Sequence, residues 1–151
     1  MLSNTKNNFS KLDVGEFENT QNAEFHSDIL GTVKGKHFLK DSLGLTSMEV
    51  SLNCFPVGKS MSFYHKHSEN EELYYFLKGQ GQFQVDDETF NVKEGTLVRV
   101  APSGVRIWRN TGKENLYYLV IQARENSMND GTISDGAAVQ KDIVWPEEIN
   151  V

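Results

Sequence analysis

Residues 64–72 read Tyr64-His65-Lys66-His67-Ser68-Glu69-Asn70-Glu71-Glu72, and this stretch decides how the rest of the chain is read. On an extended strand alternate side chains share a face, so His65 and His67 project together while Lys66 points away. A carboxylate that follows after a short turn, on the next strand, can converge with the two imidazoles on one cation. Two histidines and one carboxylate with open positions suit non-haem iron(II), and also manganese, nickel or zinc. Glu72 is the carboxylate in that register, and Glu71 takes its place if the turn runs one residue shorter. The plain alternative for an H-x-H pair taken alone is two surface histidines beside an acidic loop.

On both sides of this stretch, between residues 45 and 123, the chain is a series of short β-rich runs broken by Gly, Pro, Asn and Asp. Strands are expected over 47–55, 60–67, 72–77, 81–85, 89–92, 96–100, 105–109 and 116–123, a spacing typical of sandwiches and barrels. Asp86-Asp87-Glu88 reads as a tight hairpin connection, although it lacks the glycine of the best two-residue turns. No long stretch carries a helical period, so the core is expected to be all-β and antiparallel rather than built of parallel βαβ units. The first ~30 residues and residues 126–141 show no sustained apolar period, and Asn129-Asp130-Gly131 and Ser134-Asp135-Gly136 are turn signals. The chain is therefore divided into an N-terminal arm (1–44), a barrel (45–125) and a C-terminal arm (126–151). Asp142-Ile143-Val144-Trp145-Pro146 is expected to dock late onto the core, because Trp145 is costly to leave in water.

Composition narrows the function classes. At 151 residues the chain suits one domain with a real core. Nine Phe, five Tyr and two Trp are too many aromatics for a disordered chain. No apolar run approaches the ~20 residues that span a bilayer. The start lacks the apolar segment of a secretory signal, and the single cysteine, Cys54, suits a reducing compartment and reads as a buried structural thiol. A cytoplasmic protein is expected. The net charge of −6 argues against nucleic acid as a partner, since its binders carry a basic face. There is no nucleophile elbow, P-loop, dinucleotide fingerprint or CxxC pair. His26 and His37 have no partner at ligand spacing and read as solvated or capping residues.

Gly58, His65, His67, Glu72 and Gly79 occur in order, followed by Gly95, Pro102, Gly104 and Asn110. This resembles the two-part signature of the cupin superfamily over roughly residues 47–122. Four residues separate His67 from Glu72 and six separate Glu72 from Gly79, as the first motif asks. The Gly58–His65 and Gly95–Pro102 gaps are each one residue longer than the pattern. The resemblance implies a double-stranded β-helix, or jelly-roll barrel, with His65, His67 and Glu72 at the metal-ligand positions. It also implies that the fourth ligand, a histidine four residues before the motif's Asn, is missing: Arg106 stands there. Arginine has no lone pair to offer a metal.

A guanidinium ~5 Å from a divalent cation would be repelled by roughly 6 kcal/mol at an effective dielectric near 20. Three placements of Arg106 are therefore open. It turns to the pocket mouth, it pairs with Glu72, or an anionic ligand sits between it and a metal. If Arg106 faces inward, Trp108 shares its face and forms an aromatic wall, unless it is simply barrel core. Tyr74 shares a face with Glu72 and could offer its hydroxyl to a ligand, unless it too only packs. Cupins include dioxygenases, decarboxylases, sugar isomerases and ligand sensors. The expectation is a small-molecule-binding cupin that uses a divalent metal ion (Fe, Mn, Ni or Zn), with a carbohydrate or small carboxylate as ligand and no reaction or catalytic residue assigned. The alternative is a metal-free binding module that uses Arg106. A homodimer is expected, because open sheet edges pair readily and the N-terminal arm has no core of its own.

Overall fold

The computed structural model describes residues 2–6, 8–131 and 133–145, with side chains from residue 8 onward. Two hairpins open the chain. Strands β1 (Leu2–Lys6) and β2 (Phe9–Asp13) form the first, and after a 3₁₀ helix (Phe17–Asn22), β3 (Glu24–Ser27) and β4 (Gly31–Lys34) form the second. A short strand β5 (Lys36–Phe38) and one helical turn α1 (Lys40–Leu43) lead into β6 (Met48–Phe55). Then follow β7 (Asn70–Lys78), β8 (Gln80–Val85), β9 (Glu88–Lys93), β10 (Leu97–Val100), β11 (Arg106–Asn110) and β12 (Leu116–Arg124).

Every strand pair is antiparallel. One sheet has the order β10-β7-β12-β6-β5 and a second has the order β11-β8-β9. The two share one core, in which Tyr74, Phe76, Val98, Val100, Tyr118 and Val120 from the first meet Phe83, Val92 and Trp108 from the second. The result is an all-β jelly-roll barrel whose two sheets are not joined by continuous hydrogen bonding. Among the described residues no helix is long and apolar enough to cross a membrane.

Strand alternation explains the burial. Along β7, Glu72, Tyr74 and Phe76 are buried while Tyr75 is exposed, the period-two pattern of a sheet with one face on a core. Asp86 takes a left-handed conformation (φ 51°) in the two-residue β8–β9 connection, which Asp tolerates better than most side chains. Its carboxylate accepts the Val105 N–H at 3.0 Å, tying this hairpin to the start of β11. At Gly79 (φ 88°) a Cβ would sit 2.6 Å from the Asn115 carbonyl oxygen, so the β7–β8 corner requires glycine.

Two features differ from the sequence reading. Residues 60–67 are not a continuous strand. They make isolated bridges, Ser60 with Arg109 and His65 with Arg106, because the chain follows β11 only intermittently. The C-terminal segment does not dock: Trp145 is 84% exposed, and Ile143 and Val144 are nearly as open; Pro146 lies outside the described residues. Burying three such side chains returns about 1.5–3 kcal/mol each. Ordering the polar stretch before them costs about 1–2 kcal/mol per residue, so docking of the segment on its own chain does not repay its cost. Cys54, by contrast, is a fully buried free thiol.

Candidate functional site

Backbone hydrogen bonds set the histidine pair. The His65 N–H donates to the Arg106 carbonyl (3.2 Å), the Arg106 N–H donates to the His65 carbonyl (3.0 Å), and the His67 N–H donates to the Pro102 carbonyl (3.0 Å). These fasten the loop along β11 and turn both rings inward, with centroids 5.6 Å apart. Glu72 arrives from β7. One ligand atom from each of His65, His67 and Glu72 lies within 4.8 Å of the others. The expected set is thus brought together from a loop and a strand rather than from two strands; Glu71 is instead engaged with Arg99.

Arg106 has taken the second of its three open placements. It is 0% exposed and pairs with Glu72, itself 5% exposed. Its Nε and Nη2 donate to Glu72 Oε2 at 3.1 and 2.5 Å, and its Nη1 donates to the Gly104 carbonyl at 2.9 Å. Tyr74 is also fully buried, and its hydroxyl donates to the same Oε2 at 2.5 Å. Three donors therefore converge on one carboxylate oxygen, while Oε1 points to His67 Nε2 at 3.1 Å. Burial alone would raise the Glu72 carboxyl, but the hydrogen bonds from Tyr74 and Arg106 and the Arg106 charge hold it below its ordinary value. Burial, followed by the adjacent carboxylate, pushes the Tyr74 hydroxyl up.

Trp108 belongs to the core and also reaches the histidine pair. It stacks on Phe83 and Phe55, donates its indole N–H to the Tyr118 hydroxyl at 2.9 Å, and meets the His65 ring edge-on at 5.8 Å. His67 also borders a groove of about 840 Å³ that it shares with Lys66, Ser68, Pro102 and Arg124.

The donor set fits a metal ion on two grounds. His65 Nδ1 and His67 Nε2 are buried without a hydrogen-bond partner, and buried polar atoms left unpaired are costly. Burial and then the Arg106 charge lower His65 to about 4, so its imidazole is neutral near pH 7 and its lone pair is available. Glu72 can offer Oε1 while Arg106 and Tyr74 hold Oε2, the outer-shell arrangement that orients carboxylate ligands.

One polar group near this centre has no signal in the sequence. Lys36 on β5 donates from Nζ to Asn53 Oδ1 (2.8 Å) and Ser51 Oγ (3.2 Å). A three-residue strand shows no period, so nothing marked Lys36 as inward-facing.

A jelly roll that gathers two histidines and a glutamate inside its barrel defines a class, the cupin-type β-barrels. Sequence and structure comparisons agree. The cupin domain profile matches residues 51–122. A crystal structure of a cupin protein from Bacteroides fragilis is 31% identical, with a TM-score of 0.73 over 89% of this chain and all of that one. The chain belongs to the cupin superfamily. A protein of Acidithiobacillus ferrooxidans provisionally named as a sugar phosphate isomerase is 30% identical, with a TM-score of 0.54 over 59% of this chain and 58% of that one. An uncharacterised protein of Methanocaldococcus jannaschii is 39% identical over 64 residues, 42% of this chain and half of that relative's length.

Proposed function

We propose that this cupin binds a small molecule at a divalent metal ion held by His65, His67 and Glu72, with a carbohydrate or small carboxylate as the ligand. One observation carries the reading: His65 and His67 each keep a buried ring nitrogen without a hydrogen bond, and one ligand atom from each ring lies within 4.8 Å of the other and of a Glu72 carboxylate oxygen. Three protein ligands leave positions open, where a bound metal supplies Lewis acidity or a platform for dioxygen. The chain's own residues do the rest. Trp108 walls one side of His65, and Arg106 with Tyr74 holds the free end of Glu72. The likeness to the Acidithiobacillus protein supports a carbohydrate among the candidate ligands.

A second reading has its own support. The Arg106–Glu72 pair neutralises the carboxylate without a metal, which favours a metal-free binding module. Metal analysis of protein purified without chelators or a nickel column separates the two. About one divalent ion per chain, lost in His65→Ala/His67→Ala, supports the first reading; no ion, and no uptake on titration, supports the second. We also propose a homodimer. Leu97, Tyr75 and Met48 are exposed on the larger sheet, as are Ile143, Val144 and Trp145 on the tail, and a second subunit could cover them.

A further inference from the structure

We propose that Lys36, held by Ser51 and Asn53, is a second ligand contact inside the barrel that receives an oxyanion, carboxylate or phosphate, of the bound small molecule. This rests on reading the barrel interior as a small-molecule site, but not on the metal.

The surroundings of Lys36 set it apart from the ion-paired arginines of the barrel. Arg99 is paired with Glu71 and Glu125, Arg124 with Glu69, and Arg106 with Glu72. The hydrogen-bond partners of Lys36 are neutral: Asn53 Oδ1 at 2.8 Å and Ser51 Oγ at 3.2 Å, with the Phe38 ring 4.6 Å below its Nζ. A half-buried cation without a counter-charge in contact is poorly compensated, and a ligand anion would supply the charge. Burial pushes this amine down to about 8, against the opposing influence of the Glu72 and Glu49 charges, neither of which touches it.

The seat is built. Asn53 Nδ2 donates to the Ser51 carbonyl (2.9 Å) and to Ser51 Oγ (3.0 Å), which fixes the amide with its oxygen toward the lysine. Register places the group on the concave side. Lys36 pairs with Asn53 and Phe38 with Ser51; Asn53 lies opposite Tyr118, and Ser51 opposite Val120, both core residues. Val120 in turn lies opposite Tyr74, two residues from Glu72 on the same face of β7. The Lys36 charge is also felt at His65, where it disfavours protonation. The register thus places an ammonium on the same concave face of the sheet as the Glu72 end of the histidine centre.

The test is competitive acetylation of the intact protein with acetic anhydride, mapped lysine by lysine by mass spectrometry. Inorganic phosphate, malonate and chloride are compared at equal ionic strength, with exposed Lys59 and Lys113 as internal references. The expected result is labelling of Lys36 slowed severalfold by phosphate, malonate or both, with the references unchanged. Phosphate alone assigns a phosphoryl group, and malonate alone a carboxylate. Protection should persist in His65→Ala/His67→Ala, and Lys36→Met should weaken binding of the protecting anion by roughly tenfold or more. Equal labelling of Lys36 in all three salts overturns the proposal and leaves the metal reading to its own analysis. Protection that disappears in the double histidine variant assigns the anion to the histidine centre, and overturns it as well.

Discussion

Arg106→Met removes a buried guanidinium and leaves Glu72, 5% exposed, with only the Tyr74 hydroxyl on Oε2. The methionine fills similar volume, so the perturbation is mainly electrostatic. Breaking a buried ion pair from one side costs about 3–5 kcal/mol, because the surviving charge stays desolvated. A domain of this length loses about 2–4 °C of melting temperature per kcal/mol, so a fall of roughly 6–20 °C is expected. Glu72→Met alone strands the guanidinium and should cost a similar amount. Arg106→Met/Glu72→Met removes both charges, and replacing a whole pair by apolar side chains is often near neutral. Its cost should therefore fall short of the sum of the singles by about 6–10 kcal/mol. Urea unfolding followed by far-UV circular dichroism at pH 7 measures all four corners of this cycle. Simple additivity, or a loss under about 1 kcal/mol in Arg106→Met, would refute the view that the two charges compensate each other in the buried core. The same variant bears on the metal. With the guanidinium gone, a divalent ion becomes the natural counter-charge for Glu72, so added metal should raise the urea midpoint more in Arg106→Met than in the parent.

Other outcomes follow from the same geometry. His65→Ala/His67→Ala should abolish bound metal yet keep the fold, checked by metal analysis and circular dichroism, since neither ring nitrogen named above makes a hydrogen bond in the folded chain. His65 falls from 6.5 to about 4 on folding, so across that window the unfolded chain binds a proton that the folded chain does not, and stability should drop as pH falls from 6.5 to 4; His65→Gln should flatten this part of the urea-midpoint profile. Lys36 falls from 10.5 to about 8, so by the same sign stability should rise as pH increases from 8 to 10.5, and Lys36→Met should remove that rise. Light scattering should give a mass above the 17.1 kDa of one chain, and a concentration-independent value at that mass would rule out the dimer.

The barrel was legible because its strands alternate. In 72–77 the inward set of Glu72, Tyr74 and Phe76 can be read from the sequence, and the spacing from His67 to Glu72 already implies convergence. The path of the histidines was less legible. Residues 60–67 have strand composition, but they follow β11 through scattered bonds from Met61 and His65 rather than a regular ladder, and a period cannot register a tertiary contact of that kind. Lys36 was not legible at all. Three residues are too few for a pattern, and its inward direction comes from pairing with β6. Trp145 misled for the opposite reason. A large apolar side chain favours burial, but not the partner that would provide it.

Arg106 makes the further point that one substitution changes what a shared arrangement does. A histidine at this position would add a neutral donor to the centre and leave Glu72 to balance a metal alone. The guanidinium instead takes one carboxylate oxygen, with Tyr74, and leaves the other facing His67. The carboxylate is then pre-oriented and already neutralised, so a divalent ion adds net positive charge to a buried site that also feels Lys36. If the centre takes a metal, it should hold it less tightly than a four-ligand site would when no anion is bound, and more tightly once an anion joins it. Metal and anionic ligand should therefore bind with positive coupling, each raising the affinity of the other by the same factor. Calorimetric titration of zinc with and without saturating malonate measures that factor. Equal zinc affinity under both conditions would show that the charges at Arg106 and Lys36 do not act on the histidine centre.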